Sequence, residues 1–119
     1  MIAPLLEALR EKDPATWAWL CDFVMFDDGD VRNSINIASY GEGPGFDAIL
    51  QYCLQEACQA RGWSWRMQGF PEIDDDHPGQ TCCTIMRRKG SIWDDHKTAY
   101  GASPAEALLA AYLEALSVA

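Results

Sequence analysis

Positive charge is scarce in this chain: 9 Lys and Arg stand against 18 Asp and Glu, a formal net charge of -9 over 119 residues. Gripping a phosphate backbone needs a basic footprint, so direct nucleic-acid binding is not expected. Long apolar runs are missing as well, and nothing approaches the roughly 20 residues that cross a bilayer. The start, Met1-Ile2-Ala3-Pro4-Leu5-Leu6-Glu7, has no basic segment ahead of its apolar residues and soon meets a charge, which is not how a secretory signal reads. Cysteine is limited to five residues at irregular spacings, an odd number that cannot close into a complete disulfide framework. Free thiols in a reducing cytoplasm follow as the expectation. Phosphate-binding glycine loops, the dinucleotide glycine fingerprint, the nucleophile-elbow serine and the zincin helix are all absent. No motif marks the chain as an enzyme, and no cofactor is expected.

What is present suffices for one core. Hydrophobic residues make up 49% of the chain, with five Trp, four Tyr and four Phe, and the length is that of a single domain. Ile2, Leu5, Leu6 and Leu9 fall at the spacing that lines one face of a helix. Asp13-Pro14 pairs an N-cap acceptor with a proline at the first helical position, and Trp17, Leu20, Cys21 and Val24 continue as a second stripe. That helix stops in Asp27-Asp28-Gly29-Asp30. Residues 31–45 read as irregular, with Ile35 and Ile37 alternating like a short strand, and Gly41-Glu42-Gly43-Pro44-Gly45 separates an N-terminal helical extension, 1–45, from a core unit, 46–119.

The core unit has a clear order. Phe46, Ile49, Leu50, Cys53, Leu54, Ala57 and Cys58 make a helical stripe that ends at Gly62, placed for a left-handed C-cap. Trp63 to Phe70 alternates as a half-buried strand should, with Trp63, Trp65 and Met67 on one face. Thr81 to Arg88 is a second strand, and Lys89-Gly90-Ser91 turns into a third that runs through Tyr100. Arg87, Arg88 and Lys89, the one basic cluster, stand at the end of that second strand. Short connections predict an antiparallel meander. Ser103-Pro104-Ala105-Glu106 is a capping box opening a helix with Ala105, Leu108, Leu109, Tyr112, Leu113 and Leu116 on one side. The expected fold is α+β: helix, three-stranded meander, helix, preceded by two short helices.

This order, with Gly62-Trp63 after the first core helix and Tyr100-Gly101-Ala102-Ser103-Pro104-Ala105-Glu106-Ala107-Leu108 entering the last, resembles the phage ABA-sandwich domain family over roughly residues 39–119. The resemblance implies a phage or prophage origin and an α/β sandwich; the family has no established activity to carry over. The double-stranded-RNA-binding domain shares the element order but carries a lysine cluster where this chain has Ser103, Pro104, Ala105 and Glu106.

Polar clusters supply the candidate sites. Asp74-Asp75-Asp76-His77 and Asp94-Asp95-His96 offer carboxylates and imidazoles for a divalent cation. They flank opposite ends of a strand of about eight residues, roughly 25 Å apart at 3.3 Å per residue, so they do not form one site. The plain alternative is that each is a solvated loop. Asp27, Asp28 and Asp30 lack the alternating ligands and terminal glutamate of a calcium loop. Cys53 and Cys58 lie in an apolar stripe, while the adjacent Cys82 and Cys83 must point to opposite faces of a strand. Trp17 and Trp19 are two positions apart, about 200° of rotation, so Trp17 takes the stripe and Trp19 is the one expected at the surface.

These features point to a small acidic accessory protein that binds another protein. Carboxylates set where phosphates would lie can occupy a basic groove, the logic of a nucleic-acid mimic and of an anti-CRISPR-like inhibitor of a host defence complex. The expected contact residues are Asp27, Asp28, Asp30, Asp74, Asp75 and Asp76, with Trp19 as an aromatic anchor. The alternatives are a metal-dependent hydrolase or metal-binding protein using His77 or His96, and a structural or virion-associated homo-oligomer, a homodimer being its simplest form.

Overall fold

The computed structural model describes residues 2–24, 44–68, 80–89 and 92–117. The N-terminal stripes form α1 (Ala3–Lys12) and α2 (Pro14–Val24), joined at a sharp corner at Asp13. Proline at the first turn of each is tolerated because the amide it lacks would have no intrahelical partner there. The long helix α3 (Pro44–Arg61) starts inside the glycine-rich stretch read as a breaker, since Pro44 itself serves as the first helical residue. It ends as expected on Gly62, with φ +77°, where the Gly62 and Trp63 amides donate to the carbonyls of Gln59 and Cys58.

Three strands follow, β1 (Ser64–Gln68), β2 (Thr81–Lys89) and β3 (Ile92–Gly101), in an antiparallel sheet of order β1-β2-β3. The pairing Met67, Cys83, Ala99 and the pairing Trp65, Ile85, Lys97 lie on the helix-covered face. Cys83 and Ile85 are fully buried there, and Trp65 and Met67 pack against the same core. Arg66, Thr84 and Thr98 form a row on the other face, where the two threonine hydroxyls are 3.0 Å apart. Asp94-Asp95-His96 lies within the third strand, as the turn at 89–91 predicts, and not in the solvated loop offered as its alternative. A register shift between Arg87 and Lys89 lets β3 begin at Ile92, which takes the run into the strand, with Asp95 opposite Arg87 and His96 opposite Met86.

The last helix, α4 (Pro104–Ser117), packs on β2 and β3, with α3 beside it and α1 against it. Its capping box forms: the Glu106 amide donates to Ser103 Oγ at 3.2 Å and the Glu106 carboxylate accepts from the Ala102 amide at 2.5 Å. Leu6, Leu9, Trp17, Leu20, Leu50, Leu54, Leu108 and Tyr112 belong to one buried cluster, so the N-terminal helices share the core of the αβββα unit. The fold is α+β, as the element pattern predicts.

Candidate functional site

Trp19 and Tyr52 are the large apolar side chains left exposed among the described residues, at 36% and 46%. Both positions follow from helical rotation. Trp17 and Leu20 hold the α2 stripe, which turns Trp19 outward, and Tyr52 lies two residues from each of the buried Leu50 and Leu54, on the far side of α3. Because α2 packs on α3, the two rings meet at the seam, with centroids 5.8 Å apart and planes inclined at 53°. That is favourable tilted aromatic geometry. Sequence reasoning found Trp19 and missed Tyr52, which is off-stripe in the same way.

At the other end of the α2–α3 contact is a polar cluster that the sequence pattern did not show. Asp13, 7% exposed, caps α2 by accepting the Thr16 amide at 3.3 Å on Oδ1. Its Oδ2 accepts two further hydrogen bonds, from Thr16 Oγ1 at 2.6 Å and from the Tyr112 hydroxyl at 2.5 Å, and forms an ion pair with an Arg61 guanidinium nitrogen at 3.5 Å. Arg61 Nε in turn donates to the Tyr112 oxygen at 3.0 Å. Burial pushes the Asp13 carboxyl up, but the Thr16 and Tyr112 hydrogen bonds and the Arg61 charge outweigh it, and the acid is held below the ordinary aspartate value. Burial and the bond to Asp13 push the Tyr112 phenol up to about 12. The carboxylate and the neutral phenol are the native states.

Aromatic rings brace the cluster. The Arg61 guanidinium lies 5.3 Å from the Trp63 ring centre and 5.9 Å from that of Tyr112, and those two rings are 5.7 Å apart. Arg87 covers the same indole at 5.6 Å and donates to the Ala115 carbonyl at 2.7 Å, so one member of the basic run anchors the end of α4. A buried tyrosine inside a Leu- and Ala-rich helix was the available signal, because a phenol so placed needs a hydrogen-bond partner.

The remaining candidates separate by place. Asp27, Asp28, Asp30, Asp74, Asp75, Asp76 and His77 lie outside the described residues. His96 is exposed on β3, and among the described residues no three His, Cys, Asp or Glu side chains gather as a metal site. Cys21, Cys53, Cys58 and Cys83 are buried, and Cys82 is half-buried on the opposite face from Cys83. Burial pushes the Cys53 thiol up to about 11 and those of Cys58 and Cys83 up to about 12, the reverse of what a nucleophile needs. A cleft of about 320 Å³ between α1, α4 and β3 is lined by Leu5, Ala8, Ala99 and Leu113, with Lys12 on its wall hydrogen-bonded to Ser117 Oγ at 2.7 Å. Comparison of the chain with family models, curated proteins and solved structures finds no match.

Proposed function

We propose that this chain is a small, non-enzymatic accessory protein that acts by binding another protein, docking through the Trp19–Tyr52 seam and presenting its acidic segments to a basic groove. The carrying observation is the exposed aromatic pair on a chain of net charge -9. Paired, half-exposed Trp and Tyr rings are the residue types that dominate interface energies, and they enter an interface with few rotatable bonds to freeze. In sequence, Asp27, Asp28 and Asp30 follow α2 within a few residues of its end, so the first acidic run belongs to the chain segment leaving the helix that bears Trp19. Asp74, Asp75 and Asp76 supply a second acidic run between β1 and β2. Opposite charge across such an interface speeds and orients encounter, and the aromatic anchors hold the complex.

The chemistry of the groove it enters is that of a nucleic-acid site, which makes the protein a phosphate mimic and an inhibitor of a nucleic-acid-binding defence complex. The phage or prophage setting comes from the resemblance to the ABA-sandwich family. Capture of partners from bacterial lysate tests the reading with three baits: wild type, Trp19→Ala/Tyr52→Ala, and Asp→Asn at positions 27, 28, 30, 74, 75 and 76. The double aromatic variant is expected to weaken capture by about 2 kcal/mol, roughly thirtyfold. The Asn block is expected to mimic the effect of raised salt. A partner retained equally by all three baits and at high salt rejects both the seam and the mimicry.

A further inference from the structure

The strength of the polar cluster exceeds what capping one helix requires. An N-cap needs a single acceptor for a free amide, and Ser or Asn serves as well as Asp. Here one carboxylate also receives the phenol of α4 and the guanidinium at the end of α3. The arms are themselves held, Tyr112 and Arg61 each against the Trp63 ring. Three helices are thus tied at one point by directional bonds.

The geometry points to a role for that point in the docking surface: we propose that the Asp13–Tyr112–Arg61 clasp positions the Trp19–Tyr52 pair by fixing how far α2 slides along α3. This rests on the reading of the seam as the docking surface. The two helices touch at two described places, and their order along the chain makes the helices antiparallel, Asp13 meeting Arg61 and Trp19 meeting Tyr52. Six residues along α2 and nine along α3 separate the two places, about 9 Å and about 13 Å of helix. Between them along the two helices, Trp17 of α2 and Leu54 and Cys58 of α3 belong to the one buried apolar cluster. Apolar packing is non-directional and tolerates rearrangement, whereas hydrogen bonds to a buried carboxylate exist in one register only. A tilted contact between two half-exposed rings is a weaker constraint on that register than hydrogen bonds to a buried carboxylate. The clasp sets it, and the rings meet as a result.

Nuclear Overhauser cross-peaks between the rings of Trp19 and Tyr52 read the effect directly, with helix content followed by circular dichroism. Tyr112→Phe removes one hydroxyl. Asp13→Ser keeps an N-cap oxygen for the Thr16 amide but cannot span to Tyr112 and Arg61. Both variants are expected to keep their helices while the Trp19–Tyr52 cross-peaks disappear. Arg61→Gln, at a 40%-exposed side chain, gives the same readout without a change in the core. Ile85→Val, a core truncation on β2 that removes none of the clasp's hydrogen bonds, is expected to retain the cross-peaks. Cross-peaks that persist in Tyr112→Phe and Asp13→Ser overturn the proposal. Their equal disappearance in Ile85→Val overturns it too, by reducing the clasp to general stability. If either clasp variant fails to fold, Arg61→Gln decides by the same criterion. Partner capture that ignores Trp19 refutes the docking reading but leaves this measurement standing, so the two fail separately.

Discussion

Asp13 shows how much one side chain can carry when its surroundings differ from those of its neighbours in sequence. Eighteen acidic residues share the chain, and this one is 7% exposed with four polar donors converging on it. Its folded-state pKa is lowered, so by linkage the unfolded chain takes up the proton more readily. The stability it contributes is therefore complete above the ordinary aspartate value of about 3.9 and is lost as pH falls through the lowered native value. Urea titrations across acid pH are expected to show this loss in the wild type and a shallower one in Asp13→Asn. Tyr112→Phe should cost about 1.5–3 kcal/mol at neutral pH, the range for a hydrogen bond to a charged group. A wild-type acid profile identical to that of Asp13→Asn would show that the carboxylate contributes nothing to acid sensitivity.

Elements here are bounded by local chemistry, and the two informative glycines bound them for different reasons. Gly62 sits at φ +77° with nothing within 4 Å of where a Cβ would stand. Gly62→Ala therefore meets only backbone strain, roughly 1 kcal/mol. Gly101 has an unexceptional φ, but a Cβ there would stand 2.5 Å from the Ala107 nitrogen and 2.8 Å from the Glu106 carbonyl carbon, backbone atoms of the first turn of α4. They cannot rotate aside, so Gly101→Ala is expected to cost roughly 3 kcal/mol, the upper end of overpacking penalties. Chemical denaturation of the two variants checks the order; a larger loss at Gly62 would contradict it. Gly62 was legible in the sequence as the terminator of a stripe. Gly101 appeared only as a letter in a family-like run, because its reason is the approach of a helix to a strand end, which no local pattern encodes.

At the scale of the molecule, the helices α1 and α2 are part of the core. Leu6, Leu9, Trp17 and Leu20 are buried in the same cluster as Leu54 and Leu109. Burial of each is worth roughly 1.5–3 kcal/mol, and a domain's net stability is only about 5–15 kcal/mol. A fragment of residues 44–119 is therefore expected to lose cooperative unfolding and to bind a hydrophobic dye; a sharp thermal transition in that fragment would show that the αβββα unit stands alone. Among the described residues no helix is long and apolar enough to cross a membrane. The Trp19–Tyr52 seam and the Asp13–Tyr112–Arg61 clasp are both built on the helices that share this core.

By itself the sequence determined the elements and several of their ends: the stripes of α1 to α4, the alternation of Trp65 and Met67 in β1, the Asp13 cap, the Gly62 stop and the Ser103–Glu106 box. These depend on neighbours within one or two turns, where chain geometry leaves few options. The turn of Trp19 away from the α2 stripe was legible for the same reason. Only the tertiary structure decided that Tyr52 would meet Trp19, and that Asp13 would find Tyr112, 99 residues away, while Arg61 reached the same phenol across 51. Such meetings arise where helices pack, and the register in which they pack is set by the sum of apolar burial and a few directional bonds. Periodicity shows which face of a helix is buried, but it carries no information about which distant side chain will be waiting there.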